Sequence, residues 1–180
     1  MRSILLLTGL AVALSVATAG AVSVGIEPNA GISLPVLQDD RTQGSVWGVR
    51  VPVNLVPFMT VEPYYSSGSY GDKEIATIAG PVTRDGGKVK AWGANLLLTA
   101  GGSMFKFYPF VGLGSSTDQR AATPDLKKTG YNFGLGLGFG LPMKIGLDVR
   151  GEMQMVVDGD VSRKFANATV GLSYSFFSLP

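Results

Sequence analysis

The sequence predicts an all-β chain folded as an eight-stranded antiparallel up-and-down transmembrane β-barrel. Three observations lead there: period-two alternation in eight segments, connections that alternate short and long, and outward aromatics that sort by depth. The 180 residues suit one domain, and charged residues are 16% against the about 25% of an ordinary soluble domain. No mature stretch approaches the about 18 consecutive apolar residues of a spanning helix, so strands must carry the apolar content.

Met1-Arg2-Ser3 supplies a short basic start, Ile4 to Val16 an apolar stretch, and Ala17-Thr18-Ala19 a small-x-small site. That is the pattern of a secretory signal over residues 1–19, cleaved after Ala19 or, as second choice, after Ala21. The barrel is then expected over residues 22–180. A cleavage-site cysteine would mark a lipoprotein; there is none.

The segments follow in order, apolar face against polar face. Val22 to Leu34 sets Val24, Ile26, Ala30 and Ile32 against Ser23, Glu27, Asn29 and Ser33. Val46 to Leu55 sets Trp47, Val49, Val51 and Val53 against Gly48, Arg50 and Asn54. Met59 to Ser66 sets Met59, Val61 and Tyr65 against Thr60, Glu62 and Tyr64. Val89 to Thr99 sets Trp92, Leu96 and Leu98 against Ala91, Gly93 and Asn95. Phe105 to Gly114 sets Phe105, Phe107, Val111 and Leu113 against Lys106, Tyr108 and Gly112. Tyr131 to Leu141 alternates large apolar residues with Asn132, Gly134, Gly136, Gly138 and Gly140. Lys144 to Met155 sets Ile145, Leu147, Val149, Met153 and Met155 against Lys144, Asp148, Arg150, Glu152 and Gln154. Phe165 to Phe177 sets Val170, Leu172, Tyr174 and Phe176 against Asn167, Thr169, Ser173 and Ser175.

The short links are Val56 to Phe58, Ala100 to Met104, and Pro142-Met143; the long ones are Leu37 to Ser45, Ser67 to Lys88, Ser115 to Thr129, and Val157 to Lys164. Such alternation places the short turns and termini in the periplasm and the long loops outside the cell. A soluble β-sandwich would also alternate, but it would keep its bulky residues inside. Here the polar face is small, as the narrow interior of an eight-stranded barrel requires. Trp47, Tyr65, Trp92 and Tyr131 fall near the long loops, and Phe105, Phe107, Phe139, Tyr174 and Phe176 towards the short turns, forming two expected membrane girdles.

Glu27, Arg50, Glu62, Lys106, Lys144, Asp148, Arg150 and Glu152 are then expected to point inward, four acids and four bases. Buried charges must pair. The expected network has Glu27, Arg50 and Glu62 in one group and Lys106, Asp148, Arg150 and Glu152 in another. Such a network can be a structural plug or a rearranging gate.

With the strands assigned, Phe107-Tyr-Pro-Phe-Val-Gly-Leu-Gly114, Gly130-Tyr-Asn-Phe-Gly-Leu-Gly-Leu-Gly-Phe139 and Val170-Gly-Leu-Ser-Tyr-Ser-Phe-Phe177 are similar to strands of the small outer-membrane β-barrel superfamily, the OmpA- and OmpX-type proteins. The resemblance spans the mature chain and implies an outer-membrane location. It departs at the end, where Ser178-Leu179-Pro180 follow the aromatic that normally closes the assembly signal. No periplasmic peptidoglycan-binding domain is expected after the barrel. Expected partners are outer-membrane lipid and lipopolysaccharide, with the barrel-assembly machinery and periplasmic chaperones during biogenesis; a monomer is expected.

Charge near balance, 15 basic against 13 acidic residues with no basic run, gives no footprint for nucleic acid. The absence of His and Cys removes His-based triads, disulfides and thiolate metal sites, so no catalytic residue, cofactor or metal is expected. The glycines at 134 to 140 alternate within a strand and precede Leu141-Pro142, which is not a phosphate-binding loop. Asp158-Gly159-Asp160 reads as a turn rather than a calcium site, and the sequon Asn167-Ala168-Thr169 lies within a strand. The function read from these features is a membrane barrel with a filled lumen and a structural or surface-interaction role. The alternatives are a narrow conduit, with space left by the inward glycines, and a recognition protein acting through its loops.

Overall fold

The structure, a computed structural model, describes residues 22–36, 41–78, 80–120, 123–158 and 161–178. The expected signal peptide with both cleavage positions, the Leu179-Pro180 tail and the Gly159-Asp160 turn lie outside these residues. The described residues form twelve strands: β1 (Ser23–Val36), β2 (Gly44–Arg50), β3 (Val53–Val56), β4 (Met59–Tyr70), β5 (Lys73–Thr77), β6 (Gly80–Arg84), β7 (Lys88–Leu98), β8 (Ala100–Gly101), β9 (Phe105–Arg120), β10 (Thr123–Gly140), β11 (Ile145–Asp158) and β12 (Val161–Ser178). Eight antiparallel walls close on themselves in the order β1, β2 with β3, β4, β7, β9, β10, β11, β12. Closure leaves no open edge, the condition for strands to cross lipid.

The second wall is expected to run unbroken from Val46 to Leu55, but it divides at Val51-Pro52 into β2 and β3. Proline has no N–H for the ladder. The seam is held instead by the Gly25 N–H on the Pro52 carbonyl at 3.0 Å and the Val51 N–H on the Pro63 carbonyl at 2.9 Å.

Two of the four expected long loops prove to be wall. β9 continues to Arg120 and β10 begins at Thr123; β11 continues to Asp158 and β12 begins at Val161. Beyond the lipid both faces of a strand can be polar, so the apolar alternation stops while the ladder does not. The third, after β4, carries a separate two-stranded hairpin, β5–β6, with Ile78 at its tip fully exposed. We call this the hairpin end of the barrel and the opposite one the short-turn end.

The turn before β11 also differs from expectation. Met143 and Lys144 have φ of 65° and 63°, and the Ile145 N–H reaches the Pro142 carbonyl at 3.5 Å. Positive φ at both central positions is the two-residue hairpin turn whose twist matches the flanking strands. Lys144 therefore belongs to the turn and not to the inward face of β11.

Outward positions form an exposed apolar band in which Val111 is 60% and Leu113 66% accessible, with Leu135, Val149, Val170 and Leu172 alongside. Trp47, Tyr65, Trp92 and Tyr131 are exposed at the hairpin end, and Phe105, Phe107, Phe139, Tyr174 and Phe176 towards the short turns. Trp47 pairs with Ser67, Tyr65 with Trp92, and Tyr131 with Leu113, so the girdle shifts along the strands from wall to wall. Strands tilted by about 40° need that shift to keep a ring level. A band of this size in contact with water would be far outside the habits of soluble proteins; the fold is a transmembrane barrel with its core inside.

Candidate functional site

Among the described residues, chemistry-bearing side chains converge in the lumen, and it is closed twice. The central closure joins charged and aromatic residues of β1, β2, β4, β9 and β11 and reaches β7, β10 and β12 through Asn95, Asn132 and Thr169. Arg150 donates from Nη1 and Nη2 to the two carboxylate oxygens of Glu62 at 2.7 and 3.0 Å, and from Nη2 to the Tyr108 hydroxyl at 3.1 Å. Its guanidinium lies 5.1 Å from the Tyr108 ring centroid and 4.8 Å from that of Phe110, so cation–π attraction adds to the two-pronged pair. Arg50 donates to Glu27 Oε1 at 2.7 Å and Thr169 Oγ1 at 2.8 Å. Asp148 accepts from the Tyr108 hydroxyl, and its Oδ1 stands 3.5 Å from both Arg50 Nη1 and Arg150 Nε. Asn95 donates to Glu62 Oε1 at 2.9 Å, and Asn132 to Asn95 at 2.7 Å. Glu27, Glu62, Arg50, Asp148 and Arg150 are all buried.

Of the eight charges expected inside, these five therefore meet in one cluster rather than two groups. Glu152 stands apart and accepts from Asn167 Nδ2 at 3.1 Å. Lys106 and Lys144 line a cavity of about 410 Å³ at the short-turn end and are ion-paired to none of the described residues. One reason is geometric: Lys144 sits in the turn, and Lys106 is placed near the mouth by its pairing with Gly138.

Tyr108 and Phe110 fill the space that the inward glycines were expected to leave. They pair across the sheet with Gly136 and Gly134. A Cβ on Gly136 would lie 2.2 Å from the Tyr108 ring, and one on Gly134 2.8 Å from the Phe110 ring. Only Gly138 faces open cavity, its nearest neighbour being Lys106 Cβ at 3.7 Å. The premise of a conduit along these glycines is thereby removed.

The second closure, at the hairpin end, carries residues that sequence reasoning did not single out. Arg41, just before β2, is 1% exposed; it donates from Nη2 to Asp118 Oδ1 and Oδ2 at 3.2 and 2.9 Å. Its guanidinium lies 5.1 Å from the Tyr70 centroid and 5.5 Å from that of Phe165. Arg163 donates to the same aspartate, and the Arg120 Nε is 3.7 Å from it. Ser33 Oγ donates to Asn167 Oδ1 at 2.6 Å, which makes the Tyr70 hydroxyl the donor in its 2.7 Å bond to Ser33. Tyr70 lies five residues beyond Tyr65, about 12 Å outside the girdle at the rise and tilt of such strands. Burial pushes its phenol up to about 12. Asp118 on the continuing alternation of β9 was the available sequence signal; the approach of Arg41 had none. Between the closures a void of about 20 Å³ has room for about one water.

No family model matches the chain, and no curated protein matches it. Among solved structures, the crystal structure of Neisserial surface protein A (NspA) superposes with a TM-score of 0.63 at 12% identity, covering 87% of this chain and 99% of that one. The N-terminal β-barrel domain of Pseudomonas aeruginosa OprF gives 0.47 at 16% identity, covering 83% and 97%, and Ail, the attachment invasion locus protein of Yersinia pestis, gives 0.47 at 12%, covering 86% and 99%. The likeness to the first is one of fold: a small, closed eight-strand membrane barrel.

Proposed function

We propose that this chain is an integral outer-membrane barrel that does not conduct, with a structural or surface-interaction role. The observation that carries it is the central closure, where Arg150–Glu62 and Arg50–Glu27 cross a lumen already narrowed by Tyr108 and Phe110. A pore would need these buried pairs to separate, at several kcal/mol each. In this reading the hairpin end faces outside the cell and the termini face the periplasm. Lipid and lipopolysaccharide surround a monomer, and assembly machinery and periplasmic chaperones deliver it. The role is non-enzymatic: each central carboxylate is engaged by an Arg, Asn or Tyr donor rather than held beside a nucleophile. Folded protein should need detergent for extraction, migrate faster before boiling than after, and show no steady conductance in planar bilayers. Stable channels would overturn the reading.

A surface-interaction role is favoured over a purely structural one by the β5–β6 hairpin, which stands off the wall and exposes Ile78 and Val82. Replacing residues 73–84 with a short Gly-Ser link should leave the barrel's heat-dependent migration intact and abolish binding of the cells to host-cell or matrix surfaces. Unchanged binding would return the choice to the structural role.

A further inference from the structure

We propose that Lys88, Lys90 and Lys127 form a partial collar, along the β7, β9 and β10 side of the hairpin end, that docks the phosphate groups of lipid headgroups. This rests on the reading of the chain as a membrane barrel.

The outward face of the wall strands carries no charged residue between the girdles or at the short-turn rim, among the described residues. Its charges all lie beyond the hairpin-end girdle: Lys88, Lys90, Lys127 and Lys164, against the single acid Asp125. Asp125 is already engaged by Gln119 Nε2 at 2.7 Å. Lys90 follows Trp92 outward by two residues, Lys88 by four, and Lys127 follows Tyr131 by four. At about 3.3 Å per residue and about 40° of tilt, their Cα atoms stand about 5 to 10 Å beyond the ring. That is the depth of the headgroups.

Register turns separate lysines into a patch. Ser67 pairs with Lys90, Lys90 with Thr117, and Thr117 with Lys127. Two cations about 10 Å apart, at about 4.8 Å per strand, thus flank the half-buried Thr117 hydroxyl in one row, while Ser67 on the far side of Lys90 is buried. Ammonium and hydroxyl donors together fit the oxygens of phosphate, and a cation at a lipid surface attracts anionic headgroups. The asymmetry is informative. A collar at one rim only would serve an anionic leaflet on that side, and it would hold the barrel at a set depth.

The test is lipid selectivity in phosphatidylcholine vesicles holding the full barrel, read by spin-labelled phosphatidylglycerol against spin-labelled phosphatidylcholine. Wild type should prefer the anionic label by about fivefold or more, the equivalent of about 1 kcal/mol for even one surface lysine. The preference should shrink with salt. K88Q/K90Q/K127Q should lose it, while K73Q/R84Q on the hairpin should keep it. A wild type without preference, a triple variant that retains it, or a hairpin control that loses it equally would overturn the collar. Protein that leaves the vesicles under carbonate without detergent would instead defeat the membrane reading, whatever the lipid result. Heat-dependent migration of each variant establishes that its barrel is folded.

Discussion

The ring of Tyr108 on β9 occupies the volume that a side chain at Gly136 on β10 would need: the two are cross-strand partners, and a Cβ there would lie 2.2 Å from the ring. The same strand two residues on, at Gly138, faces open cavity. Gly136→Ala should therefore destabilise the barrel by about 1–3 kcal/mol through overpacking, while Gly138→Ala should stay within about 0.5 kcal/mol. Tyr108→Ala would relieve the clash of the first change but open the cluster around Arg150. Urea unfolding in detergent micelles, with folded fraction read on unboiled gels, separates the two glycines. Equal effects would refute the assignment of Tyr108 to that space.

Arg150 is the residue on which the central closure depends, because it joins Glu62, Tyr108 and the rings of the lumen at once. Arg150→Met should cost about 3–5 kcal/mol by leaving Glu62 without its cation. Removing both charges, as in E62L/R150M, should recover most of the loss. The same unfolding measurement decides it, and a double variant as poor as the single one would contradict the pairing.

The two-residue turn at Met143-Lys144 holds ordinary L residues at positive φ. Asparagine and glycine take that conformation at lower cost. M143N/K144G should raise stability by about 1 kcal/mol, seen as a higher unfolding midpoint, with no change in conductance. A lowered midpoint would mean that the turn takes another form.

Tyr70 links the hairpin-end closure to pH. Its phenol is pushed up to about 12 by burial, above an ordinary value of 10.0, so the folded barrel disfavours the phenolate. The stability that this neutral phenol contributes is full below pH 10 and is lost as pH rises towards 12. Loss of the proton also removes the donor to Ser33. Protease access at the hairpin end should rise in that window for wild type and rise less for Tyr70→Phe. An identical alkaline response in both would exclude Tyr70 as its source.

Depth along the outward face gives a further test of the lipid band. Leu135→Arg, in the band, should cost about 2–4 kcal/mol, and Thr117→Arg, beyond the girdle, about 0–1. Equal costs would be incompatible with a membrane around these strands.

Read along the chain, alternation and the alternating lengths of the links determined the eight walls, which face of each is apolar, and the end at which each outward aromatic lies. That follows from the two-residue period of a strand, which assigns every side chain to a face before any strand finds its neighbour. It also placed Glu27, Arg50, Glu62, Asp148 and Arg150 on the inner face, but divided them between two groups where the barrel joins them in one. Where both faces turned polar, at Ser115 to Thr129 and Val157 to Lys164, the period carried no contrast, and wall was read as loop. Only the closed barrel decided the rest. Register set Tyr108 against Gly136, the turn at Met143-Lys144 took Lys144 off the inner face, and closure brought Arg150 of β11 across the lumen to Glu62 of β4. Such contacts depend on how far each wall slides past the next, and a period of two is blind to a slide of two.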